Sequence, residues 1–165
     1  MKFVNSSHCG LRRSVDSIRH AAAMVGLSKL KTWACFLAMG QLNQGPAELL
    51  AKANIRAKMC ELLAREQGVD ATDRFFTVGL LSVLDALIGQ NMADVLEHLP
   101  LQDDLRDALL HRQGELGQTL RVAIAYKQGD WSAVSELGIP PHKVRAAYFE
   151  AVHWSRELLE ALKVD

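Results

Sequence analysis

Residues 73–89, Asp-Arg-Phe-Phe-Thr-Val-Gly-Leu-Leu-Ser-Val-Leu-Asp-Ala-Leu-Ile-Gly, constrain this chain more than any other stretch. The run predicts one helix from about Arg74 to Ile88, with Thr72 or Asp73 as N-cap and Gly89 as a left-handed stop. On a helical wheel, Thr77, Ser82 and Asp85 are interrupted by Leu81, Leu84 and Ile88, so no continuous solvated face remains. A helix apolar nearly all round, yet too short and too polar to cross a bilayer, must be covered by other helices on several sides.

The remaining chain supplies those helices. Ser14 caps a predicted helix from Val15 to Val25, and Ser28 caps another from Lys29 to about Gly40. Pro46 suits the first turn of a helix running to about Gln67 and stopped by Gly68. Leu50, Ala53, Ala57, Cys60 and Ala64 form its inner stripe, leaving Lys52, Arg56, Lys58, Arg65 and Glu66 as solvated positions. Shorter helices follow: one after Asn91, one from Gln102 or Asp103 through Leu110, one over Leu116–Gln128 and one over Trp131–Leu137 behind an Asp130 cap. The last spans Pro141–Leu162, with Val144, Ala147, Tyr148, Ala151, Ser155, Leu158 and Leu162 on one face. No alternating, β-branched run reads as a strand. The expected fold is all-α, an irregular bundle of about eight or nine helices around the buried central one.

One domain accommodates all 165 residues. Lys plus Arg balances Asp plus Glu at 19 each, so no net positive field attracts nucleic acid. Cys9, Cys35 and Cys60 show neither a disulfide framework nor zinc-ligand spacing and read as reduced thiols of a cytoplasmic protein. The N-terminus lacks the apolar core of a signal peptide, and no window is long and apolar enough for a membrane span.

The usual catalytic spacings are missing. There is no H-E-x-x-H, G-x-S-x-G, Walker loop or dinucleotide fingerprint. His8, His20, His98, His111, His142 and His153 are scattered, and surface or capping roles are expected for them. Trp33, Trp131 and Trp154 are expected to be buried or half-buried. Asp85 needs a partner if it is buried and ionised, with Arg74, Arg106, Arg112 or a helix-start N–H as candidates.

Three stretches carry a family resemblance. Phe3-Val4-Asn5-Ser6-Ser7 leads into Ser17-Ile18-Arg19-His20-Ala21 and Met24-Val25-Gly26-Leu27. Phe75 to Leu87 holds Gly79-Leu80-Leu81-Ser82 and Leu84-Asp85, and Gly117 is followed by Ala125-Tyr126 and Gly129-Asp130-Trp131. Together these resemble the HDOD domain, a regulatory relative of HD metal-dependent phosphohydrolases, in the version that follows EAL domains in bacterial cyclic-di-GMP signalling proteins. The resemblance implies an HD/HDOD-like bundle, with the family's first helices and an EAL domain expected upstream. It also implies a departure: Ser82 and Val83 stand where many relatives carry His-Asp, the metal-binding pair of true HD hydrolases. A hydroxyl and an isopropyl group do not replace those ligands. Glu160-Ala161-Leu162 spells the EAL signature but ends a terminal helix, so it is read as coincidence.

The expected function is a non-catalytic signal-transduction or protein-interaction module, coupled to an EAL domain or another signalling protein, with no cofactor. A homodimer is compatible with this reading, and neither nucleic acid nor membrane is an expected partner. A small-ligand or nucleotide-binding regulator is the alternative, drawing on Asp85 and basic residues such as Arg12, Arg13 and Arg19. A metal-dependent phosphohydrolase ranks last. Candidate ligand or partner contacts are Asn5, Ser6, Arg19, Ser82 and Asp85.

Overall fold

The computed structural model describes residues 47–162. The helices expected over 15–25 and 29–40, together with Asn5, Ser6, Arg12, Arg13, Arg19, Cys9, Cys35, His8, His20 and Trp33, lie outside the described residues. Eight α-helices and one 3-10 turn make up the regular structure that is described, and the fold is all-α. They are α1 (Ala47–Glu66), α2 (Asp73–Leu81), α3 (Leu84–Ile88), α4 (Met92–Glu97), α5 (Asp103–His111), α6 (Gly114–Gln128), α7 (Trp131–Val134), the 3-10 turn Ser135–Leu137, and α8 (Pro141–Leu162).

The centre is shared by two helices. α1 packs against α2, α6 and α8, while α2 packs against α1, α5 and α6. The inner stripe Ala53, Ala57, Cys60 and Ala64 of α1 is buried as its spacing requires. Phe75, Phe76, Val78, Leu80 and Leu81 of α2 are buried on several sides, as a helix without a polar face demands. Gly79 sets the distance between these helices. A Cβ there would lie 2.5 Å from the Arg56 carbonyl oxygen and 2.6 Å from Ala57 Cα, so the two backbones meet directly. On α8, Val144, Ala147, Ala151, Trp154 and Leu158 are buried, and the Trp154 ring meets Phe76 edge-on with centroids 5.8 Å apart.

Several boundaries follow the local chemistry. Asn91 Oδ1 accepts the Ala93 N–H at 3.0 Å and opens α4. Gly129, with φ of 75°, lets the Asp130 N–H return to the Ala125 carbonyl at 3.0 Å, and Asp130 then accepts the Ala133 N–H at 3.2 Å to start α7. Gly89 closes α3 in the left-handed conformation.

The structure corrects four expectations. The central run is two helices, interrupted at Ser82 and Val83, because the Ser82 hydroxyl donates to the Gly79 carbonyl at 2.7 Å and Arg56 occupies the Ser82 carbonyl. Lys52, Arg56 and Lys58 are half-buried, and the charged ends of Arg56 and Lys58 turn inward to Ser82 and Glu61. Trp131 is exposed because α7 turns Ala133 and Val134 inward and leaves its first residue outside, whereas Trp154 is buried. α6 begins at Gly114, two residues before Leu116, and the segment after Asp130 tightens into a 3-10 turn beyond Val134. Among the described residues no helix is long and apolar enough to cross a membrane.

Candidate functional site

One group of polar side chains in the interior gathers at the break in the central run. Arg56 and Cys60 sit one turn apart on α1, and the backbone contact at Gly79 brings Arg56 to the end of α2. There its Nη1 donates to Ser82 Oγ at 3.1 Å and to the Ser82 carbonyl at 3.4 Å. Ser82 and Val83 are both buried. Asp85 follows in the first turn of α3 and is half-buried. Arg112 closes α5 with φ of 59°, donating to the carbonyls of Ala108 at 3.2 Å and of Leu109.

These groups share one electrostatic environment. Burial lowers the pKa of Arg56, aided by repulsion from Arg112 and opposed by Cys60 and Asp85. Burial likewise lowers that of Arg112, with Asp85 the strongest opposing group and Cys60 next. Burial pushes the Cys60 thiol up to about 12, and the two guanidiniums offset this only in part. Both arginines remain cations at physiological pH, while Cys60 is a protonated thiol and a weak nucleophile.

This donor set does not fit a divalent metal. Guanidinium has no lone pair to give, Val83 has no donor atom, and two cations face one carboxylate. Among the described residues, no group of three or more His, Cys, Asp or Glu side chains is placed to hold a metal. His98, His111, His142 and His153 are all exposed.

A separate open cleft of about 450 Å³ lies between the start of α2, α5 and the start of α6. Arg74 and Asp104 form an ion pair across it, and Asp107 and Glu115 complete its acidic lining. The hydrogen bond from Arg74 holds the Asp104 carboxyl below the usual carboxylate range. This cleft shares no lining residue with the Ser82 cluster.

Of the residues singled out from the sequence, the structure brings Ser82, Asp85 and Arg112 to the break and places Arg74 at the other cleft. Asn5, Ser6 and Arg19 lie outside the described residues. Sequence reasoning missed Arg56, whose signal was its position between Ala53 and Cys60, at the margin of the buried stripe. It also missed Glu61, a buried carboxylate 2.9 Å from Arg65 and 3.4 Å from Lys58. Lys58 in turn lies 5.6 Å over the Trp154 ring, joining α1 to α8.

The described residues define an all-α multi-helix bundle whose central run breaks at a Ser-Val pair held by a basic residue. The HDOD domain model matches residues 1–100, and the chain belongs to the HDOD family. It is 32% identical over 167 residues to the uncharacterized protein YuxH of Bacillus subtilis, covering 98% of this chain and 41% of that protein. It is also 32% identical over 164 residues to the cyclic di-GMP phosphodiesterase CdgJ of Vibrio cholerae, covering 96% of this chain and 38% of that protein. The chain thus spans about two fifths of the length of these curated relatives. No solved structure gives a significant match.

Proposed function

We propose that this chain is a non-catalytic signalling module that couples, through protein contacts, to a cyclic-di-GMP phosphodiesterase domain of the EAL type or to another signalling partner. The observation that carries this reading is the chemistry at Ser82 and Val83. Where the family resemblance places the metal pair of HD hydrolases, this chain holds a hydroxyl bonded to Arg56 and a buried isopropyl group. Family membership and the similarity to part of a longer protein named as a cyclic di-GMP phosphodiesterase support the signalling context.

Metal content, sedimentation and hydrolysis of cyclic di-GMP with added Mg²⁺, Mn²⁺ or Fe²⁺ test the proposal on one preparation of the purified chain. The expected result is no stoichiometric metal and no metal-dependent turnover. Stoichiometric metal accompanied by turnover overturns it.

A further inference from the structure

We propose that the end of α6, α7 and the adjoining face of α8 form a docking strip for an acidic segment of a partner polypeptide. This rests on the interaction-module reading and names the surface such a module would use. Trp131 and Phe149 are 63% and 62% exposed, and they are joined through two half-buried tyrosines into one run of rings. Tyr126 meets Trp131 edge-on with centroids 5.7 Å apart, and meets Tyr148 at 5.0 Å. Tyr148 meets Phe149 at 5.8 Å. Single exposed apolar residues are ordinary, but four rings in contact make a continuous patch. Trp and Tyr in such patches supply much of the binding energy of protein interfaces.

Charge identifies the partner's chemistry. Beside Tyr148, a notch of about 10 Å³ is lined by Lys52, Arg56 and Lys127 among apolar side chains, with no carboxylate. Arg145 shares the α8 face of Tyr148 and Phe149, three and four residues before them. Arg56 is engaged by Ser82, whereas Lys52, Lys127 and Arg145 have no carboxylate partner among the described residues. A partner with carboxylates beside apolar or aromatic side chains complements both features.

Two other occupants fit less well. The notch has room for about one water-sized group, which admits a carboxylate oxygen but not a phosphate group. Two of the three ring contacts are edge-on and the third is tilted by 41°, so no two of these rings form a parallel slot for a base. A second copy docking strip to strip would offer few free carboxylates, since Asp130 already caps α7 and Glu136 is paired with Arg121.

The test is selection of random short peptides on the full chain, with counter-selection on Trp131→Ala. Affinities are then measured for the wild type, Trp131→Ala and Lys52→Glu/Lys127→Glu, with circular dichroism confirming that each variant is folded. Expected are peptides rich in Asp and Glu with aromatic or aliphatic residues, weakened about tenfold or more by either variant and weakened by added salt. No enriched peptide, peptides without acidic character, or peptides indifferent to both variants overturn the strip. Self-association or binding of cyclic di-GMP that is lost in these variants, with no acidic peptide selected, overturns it in favour of a homodimer or a nucleotide site. Metal-dependent turnover together with strip-sensitive acidic peptides removes the non-catalytic reading and leaves the strip standing. Absence of turnover and of peptides removes the strip alone.

Discussion

Arg56 on α1 donates from Nη1 to both oxygens of Ser82 at the end of α2, at 3.1 Å to the hydroxyl and 3.4 Å to the carbonyl. The contact does two things at once. It satisfies a buried carbonyl at the point where the central run leaves helical geometry, and it places a guanidinium beside the Ser82-Val83 pair. Arg56→Met keeps the apolar stem but leaves the Ser82 carbonyl without that donor. Ser82→Ala removes the acceptor hydroxyl and its bond to Gly79. Each change is expected to cost about 1 kcal/mol, with a coupling of about 1 kcal/mol in a double-mutant cycle read by urea unfolding. Strict additivity would show that the guanidinium–hydroxyl bond contributes nothing to stability, since the backbone carbonyl persists in Ser82→Ala.

Gly79→Ala reverses the usual sign of a helical glycine substitution. In an open helix, alanine in place of glycine gains about 1 kcal/mol. Here the new methyl group would meet the Arg56 carbonyl oxygen at 2.5 Å and the Ala57 backbone at 2.6 Å, and backbone atoms of a packed helix do not yield as a side-chain tip does. A loss of about 2 kcal/mol or more is expected, read as a lower urea midpoint with an unchanged denaturant slope. A neutral or stabilising result would mean that α1 and α2 sit farther apart.

The parts of the fold legible in the sequence were those governed by local chemistry. Asn91, Asp130 and Gly89 act at the helix ends their types favour, and the apolar spacing of α8 and the inner stripe of α1 reports burial directly. The break at Ser82 was not legible. One contributor is local, the Ser82 hydroxyl on the Gly79 carbonyl, but a lone serine in a leucine-rich run does not by itself signal a break; the other is a side chain twenty-six residues earlier. Arg56 and Glu61 were missed for a related reason. A charged residue at the margin of a buried stripe is solvated or drawn inward according to which helix packs alongside, and that is tertiary information. Trp131 erred the other way, because a large ring looks like core until it is known that α7 turns Ala133 and Val134 inward instead. At the candidate site, Ser82 and Asp85 stood out by residue type alone, while the guanidinium of Arg56 that reaches Ser82 did not.

At the cleft between α2, α5 and α6, the hydrogen bond from Arg74 lowers the Asp104 pKa. A carboxyl depressed in the folded state adds stability above its unfolded pKa and loses it as pH falls through the folded value. Both side chains are about half exposed, so the contribution at neutral pH is expected to stay below about 0.5 kcal/mol. Arg74→Ala should raise the Asp104 pKa in a carboxyl-carbon NMR titration while scarcely moving the unfolding midpoint. The small stability difference between variant and wild type should vanish under strongly acidic conditions. An unmoved Asp104 titration would show that the pair does not form in solution.

Cys60 gives the clearest pH signature. It is fully buried, and its thiol is held at about 12 against an ordinary value of 9.0. A group with a raised folded pKa stabilises the fold below the unfolded pKa and loses that contribution as pH climbs toward the folded value. The window is therefore about pH 9 to 12, and within it the wild type should lose roughly 1 kcal/mol per pH unit more than a Cys60→Ala variant. Comparison with that variant subtracts the titration of lysines and tyrosines over the same range. At pH 8 the native thiol should resist a charged disulfide reagent and react only after the chain is unfolded in urea. Rapid labelling of Cys60 in the folded chain, or parallel stability curves for the two proteins above pH 9, would show that the interior beside Arg56 and Arg112 is open to water.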